Sequence, residues 1–123
     1  MPESFTEEEE ELIERLYQIG MNKNVAKTLV FIVKEGETKS REIETGMGLR
    51  QPEVSVAVND LLENDWITKD EVKKEGKGRP VHHYTLSKDL SDIISEIELW
   101  ENEKVKEIEE NVQIIKNLTE KIE

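Results

Sequence analysis

The chain has 123 residues, a formal net charge of −12, 37% charged residues and no cysteine, which excludes disulfides, thiolate nucleophiles and cysteine-based zinc sites. Its longest apolar run, Leu29 to Val33, is far short of the roughly 20 residues that span a bilayer. The acidic start MPESFTEEEEE is unlike a signal peptide, so a cytoplasmic location with no membrane attachment is expected.

The charge is partitioned along the chain. Residues 1–21 carry seven glutamates against Arg15, residues 22–87 eleven basic against eleven acidic side chains, and residues 88–123 five lysines against eleven acids. A strongly acidic total opposes non-specific nucleic-acid binding, but the neutral middle leaves room for a local basic surface. These boundaries also divide the expected organisation: an acidic N-terminal helix over 1–21, a folded domain over 22–87 and a long helix over 88–123.

Thr6 with Glu9 has the spacing of a capping box, and Leu12, Ile13, Leu16 and Ile19 follow at helical period until Gly20. Asn22 or Asn24 caps a second helix whose apolar face is Val25, Ala26, Leu29, Val30, Ile32 and Val33, with Gly36 as its stop. Thr38 or Ser40 begins a short third helix through Arg41, Ile43 and Glu44, closed by the glycines of TGMG at 45–48. Pro52 suits the first turn of a fourth helix, where its missing N–H costs nothing, and Val54, Val58, Leu61 and Leu62 form its buried stripe.

After Asp65 the period changes. Ile67, Thr68 and Val72 favour extended chain, as does Val81 to Leu86, with EGKGRP between them as turn chemistry; two strands and a tip bearing Lys73, Lys74, Lys77 and Arg79 are expected. From Lys88 to Glu123 no proline or glycine interrupts, which permits a helix of about 50 Å at 1.5 Å per residue. Leu90, Ile94 and Ile97, then Val105, Ile108, Val112, Ile115, Thr119 and Ile122, step as a heptad seam. The two runs are offset by a four-residue stutter holding Trp100.

The order helix, helix, glycine turn, helix, hairpin resembles the winged helix-turn-helix transcriptional regulators, archaeal type, similar to the MarR-like and TrmB-like families. The stretches GLRQPEVSVAVNDLLENDWITKD and GKGRPVHHYTLS carry the resemblance, which covers about Asn22 to Leu86. It implies a mostly α fold with a small β-hairpin wing (α+β) and a long C-terminal dimerisation helix. It also implies a sequence-specific DNA-binding transcriptional regulator acting as a homodimer on double-stranded DNA. Carried over by position, the recognition-helix residues are Arg50, Gln51, Pro52, Ser55, Val56 and Asn59, and the wing residues are Lys73, Lys74, Lys77, Arg79 and His82. The seam residues Leu90, Ile94, Ile97, Trp100, Val105, Ile108, Val112, Ile115 and Ile122 become the dimer contacts. Glu53 departs from the family pattern, being acidic where neutral or basic residues are common.

The chemistry of these side chains agrees. Arg50 can donate twice to guanine, Gln51 or Asn59 can bridge adenine, and Val56 can touch a thymine methyl; the wing glycines allow close backbone approach while its cations meet phosphates. The bland alternative for the tip is a solvated turn. His82 and His83, adjacent in a strand, face opposite ways and do not clasp one metal. Trp66 is read as core. No catalytic constellation, cofactor motif or metal site stands out: GMGLRQ lacks the third glycine of a dinucleotide fingerprint and EGKGRP lacks the P-loop spacing. A non-enzyme is expected. The alternative is a winged-helix protein-interaction module of the transcription machinery, and a small-molecule effector is a partner that no residue identifies.

Overall fold

In the computed structural model, which describes residues 5–72 and 81–123, five helices and three short strands follow in the order α1 (Glu7–Gln18), α2 (Lys23–Glu35), β1 (Thr38–Lys39), α3 (Ser40–Met47), α4 (Gln51–Glu63), β2 (Ile67–Val72), β3 (Val81–Leu86) and α5 (Leu90–Ile122). The chain divides into two compact units, one reaching Leu90 and one running from Ser91 to Glu123.

In the first unit, α2 is the central element. Val25, Ala26, Leu29, Val30, Phe31 and Ile32 are all buried, and the helix packs against α1, α3, α4 and β3. Asn22 is its cap: Oδ1 accepts from the backbone N–H of Asn24 at 2.9 Å and of Val25 at 3.3 Å. Asn24, the other candidate, lies inside the first turn. Gly36 ends the helix at φ +83°, a region that favours glycine. The expected face is extended by Phe31 and Thr28, while Val33 is only half-buried.

The capping box at the start of α1 is present, with Thr6 Oγ1 accepting from Glu9 N–H at 3.1 Å and Glu9 Oε1 accepting from Thr6 N–H at 2.8 Å. Only half of this device recurs at α3, where Glu42 Oε1 accepts from Lys39 N–H at 2.8 Å.

Of the two candidates for the start of α3, Ser40 begins it; Thr38 with Lys39 forms β1, which pairs antiparallel with β3, Thr38 opposite Tyr84 and Lys39 opposite His83. The sheet therefore has three strands in the order β1-β3-β2, and the expected hairpin, Ile67 opposite Leu86 through Val72 opposite Val81, makes its other pair. A two-residue strand is too short for any periodicity to reveal it. Of the two TGMG glycines, Gly48 ends α3 in the left-handed region, after Met47. Gly46 is there for packing: a Cβ on it would lie 2.7 Å from Phe31 Cε1 and 2.9 Å from Cζ.

Trp66, 1% exposed, joins α4 to β2 as a core residue. Asp65 before it has φ +60°, and this turn is tied to the end of the hairpin by Ser87 N–H donating to Trp66 O at 2.9 Å and by the Ser87 hydroxyl donating to Asp65 O. On α4 the buried residues are Val54, Ala57, Val58 and Leu61. Leu62 is half-buried and Ala57 takes its place in the stripe.

In α5 the buried residues are Ile93 and Ile97, with Leu90 and Ile94 half-buried. Both 90-94-97 and 90-93-97 are heptad steps, so period alone cannot choose between the adjacent isoleucines. No helix among the described residues is long and apolar enough to cross a membrane.

The close approach of α3 to α2 gives a test. Gly46→Ala gains about 1 kcal/mol of helix propensity, but it forces a buried ring to move, at about 1–3 kcal/mol. A net loss of stability is expected in denaturant unfolding, against little change for exposed Thr45→Ala. Equal behaviour of the two variants would mean that the Phe31 ring yields freely.

Candidate nucleic-acid interface

Gly48 closes α3, with its N–H donating to Glu44 O, and Leu49 N–H donates to the same carbonyl at 3.1 Å. Two residues later the chain has reversed into α4. Arg50 occupies the N-cap in extended geometry, φ −82° and ψ 157°. This short connection joins α3 to α4 as a helix-turn-helix.

The burial of Val54, Ala57, Val58 and Leu61 turns the opposite side of α4 to solvent. Gln51, Pro52, Val56 and Asn59 are exposed, and Ser55 is half-buried. Five of the six sequence-selected residues thus lie on the helix, at spacings of three and four that share a face, and Arg50 stands at its N-terminus. Val56 is 66% exposed. Gln51 is held in place, its Nε2 donating to Ser55 Oγ at 2.8 Å.

Arg50 is also held. Glu53 Oε1 accepts from the Arg50 backbone N–H at 3.0 Å and lies 3.4 Å from its Nε. An N3 glutamate reaching back to the N-cap N–H repeats the arrangement of α1 and α3. The backbone hydrogen bond from Arg50, reinforced by its side chain and by a side-chain hydrogen bond from Asn24, holds the Glu53 carboxyl below its usual value.

Asn22 and Asn24 were not selected from the sequence, yet they share a depression of about 250 Å³ with Pro52, Glu53, Val56 and Ala57. Nearly thirty residues separate the two groups, and only the packing of α2 on α4 brings them together.

On the hairpin, His82 Nε2 lies 3.1 Å from Glu71 Oε1, its cross-strand neighbour. His83 bonds instead to Glu37, so the two rings go to different carboxylates. The other wing candidates, Lys73, Lys74, Lys77 and Arg79, lie outside the described residues. Along α5, Trp100, Val105, Ile108, Val112, Ile115 and Ile122 are exposed, whereas Ile97 is 6% exposed and has little surface left for another molecule. Ile114 and Leu118, which the heptad reading omitted, are also exposed and widen the apolar face.

No protein-family model matches the chain, and no curated protein matches it significantly. Solved structures do. TrmBL2, described as an archaeal chromatin protein with a novel mode of DNA binding, superposes with a TM-score of 0.64 over 91% of this chain at 17% identity; this chain spans 40% of its length. A possible transcriptional regulator from Methanosarcina mazei gives 0.60 at 17% identity, over 82% of this chain and 86% of its own. A further transcriptional regulator gives 0.52 at 12% identity, over 65% and 53%. The likeness is one of fold: the chain has a winged helix-turn-helix fold, mostly helical with a small antiparallel sheet and a long C-terminal helix.

The lowered Glu53 carboxyl has a consequence for stability. A carboxyl depressed in the folded state contributes stability that is present above its unfolded value near 4.5 and lost as pH falls through the folded value. Thermal melts of the intact chain should therefore drop as pH falls below the ordinary carboxyl value, with a shallower drop in Glu53→Gln. Glu9, lowered chiefly by the Thr6 backbone N–H, sustains part of the remainder. An unchanged slope would show that the Glu53 bond does not persist in solution.

Proposed function

We propose that this chain is a sequence-specific DNA-binding transcriptional regulator acting as a homodimer. The observation that carries this reading is the solvent face of α4, where Gln51, Pro52, Ser55, Val56 and Asn59 follow Arg50 on one side of a helix anchored by its buried side. That face suits the major groove. Arg50 pairs with guanine O6 and N7, Gln51 or Asn59 with adenine, and Val56 meets a thymine methyl. The hairpin, which carries His82, reaches the flanking backbone or minor groove, and Lys73, Lys74, Lys77 and Arg79, between its strands in sequence, supply charge for phosphates. The TrmBL2 description as a DNA-binding chromatin protein supports DNA as the partner.

The homodimer is proposed from α5. Its 33 residues extend about 50 Å, and Val105, Ile108, Val112, Ile115 and Ile122 are each at least 43% exposed. A run of alternate three- and four-residue steps forms a seam that one further helix covers, and in a homo-oligomer that helix comes from a second copy. Two recognition helices held by one dimer then address two half-sites about one DNA turn apart.

The two parts fail differently. Arg50→Ala or Gln51→Ala should remove about 1–3 kcal/mol from the preferred site and little from scrambled DNA. Lys77→Ala with Arg79→Ala should weaken all duplexes alike and flatten the salt slope, which is about −0.9 per phosphate neutralised. Titration of each variant against both duplexes at two salt concentrations measures this. Loss of discrimination in the wing variant alone would transfer base reading to the hairpin tip. Salt-independent binding, or none, would favour the protein-interaction module.

For the dimer, Val112→Asp with Ile115→Asp places two charges in the seam at positions the single chain leaves exposed. Light scattering is expected to give the monomer mass for this variant and the dimer mass for the parent. A dimeric variant would locate the interface elsewhere.

A further inference from the structure

We infer that Glu53 is a positioning residue for Arg50: its carboxylate fixes the guanidinium end-on for guanine and adds a like-charge penalty against DNA docked in any other register. This rests on the reading of α4 as the recognition helix.

The geometry that carries it is the sharing of one oxygen. Glu53 Oε1 accepts from the Arg50 backbone N–H at 3.0 Å and lies 3.4 Å from Arg50 Nε. Because the first bond fixes the carboxylate to the helix N-terminus, the carboxylate cannot follow the arginine side chain. It acts as a post instead. Asn24 of α2 lines the same depression as Glu53, so the post stands beside a second helix. With Nε occupied, the donors that remain are the two terminal nitrogens of the fork, which are the pair that meets guanine O6 and N7 end-on. The Arg50 side chain is 83% exposed while that of Glu53 is 33% exposed, so the cation projects past its anchor.

Glu53 also answers for its own charge. An ionised carboxylate beside a DNA-facing surface repels phosphate unless an arginine stands between them, which holds only in the docked register where Arg50 reaches a base. Wrongly placed DNA meets the carboxylate without that compensation. The acidic residue that looks misplaced in a DNA-binding helix thereby contributes to discrimination at the expense of overall affinity.

The test starts with duplexes selected from random DNA by the full chain. Parent, Glu53→Gln, Arg50→Ala and the double variant are titrated against the selected site, the same site with its guanine replaced, and a scrambled duplex. Glu53→Gln keeps a carbonyl for the Arg50 N–H and so preserves the helix start. It is expected to cut the penalty for replacing the guanine by about tenfold and to raise scrambled-DNA affinity about two- to fivefold. In Arg50→Ala the same change should no longer affect guanine preference, since the two act as a unit. Without DNA, the Arg50 Nε–H resonance should be protected from exchange in the parent and unprotected in Glu53→Gln.

Loss of guanine preference in Arg50→Ala but not in Glu53→Gln overturns the positioning role and leaves DNA reading intact. So does additive behaviour of the double variant, or an unprotected Nε–H in the parent. A parent that binds all duplexes alike overturns the DNA reading and the positioning role with it.

Discussion

Burial of α2 is the constraint on which the first unit depends. Its residues from Val25 to Ile32, apart from half-buried Lys27, are withdrawn from water, and four other elements pack on it. Each of those elements is amphipathic and needs a surface to cover. At about 25 cal/mol per Å² of apolar area, that shared surface is the main source of stability in so small a domain. Geometry follows from it: Gly46 lets α3 approach Phe31, Gly48 turns the chain, and α4 is left with one side buried and the other free. The orientation of the candidate interface is thus set by residues that do not belong to it.

The excess of negative charge lies outside the segment of sequence that carries α4. The two ends of the chain carry the whole excess of acid, and within the middle segment two of the glutamates, Glu42 and Glu53, bind backbone N–H groups at helix starts. A carboxylate there compensates the positive end of the helix dipole and satisfies a donor that has no intrahelical partner. Net charge is therefore a poor guide to what this surface meets. What matters within a Debye length, about 8 Å at physiological salt, is the local arrangement, and around α4 that arrangement pairs its nearest acid with its nearest base.

Much of the fold was legible in the sequence because helix starts, stops and faces are encoded by residues within four positions of one another. Thr6 with Glu9, Pro52, and the glycines at 36 and 48 specify where the chain enters and leaves helices; the alternation of apolar residues specifies which side is buried. The six recognition-helix candidates were readable for the same reason, since burial of Val54, Val58 and Leu61 leaves their side to solvent. The hairpin was readable from two extended stretches flanking EGKGRP, and its register came from the structure.

What the sequence by itself determined, then, is the helix-turn-helix with its hairpin, the exposed face of α4 and the length of α5. Only the tertiary structure decided what depends on surfaces meeting across long separations. β1 exists because Thr38 and Lys39 come alongside Tyr84 and His83, and Gly46 is required because Phe31 is beneath it. Most consequentially, Asn22 and Asn24 come to share a depression with Pro52, Glu53 and Val56, which no local spacing announces. Local propensity fixes the elements; the partners of a side chain are fixed by which elements pack together, and that information is spread over the whole chain.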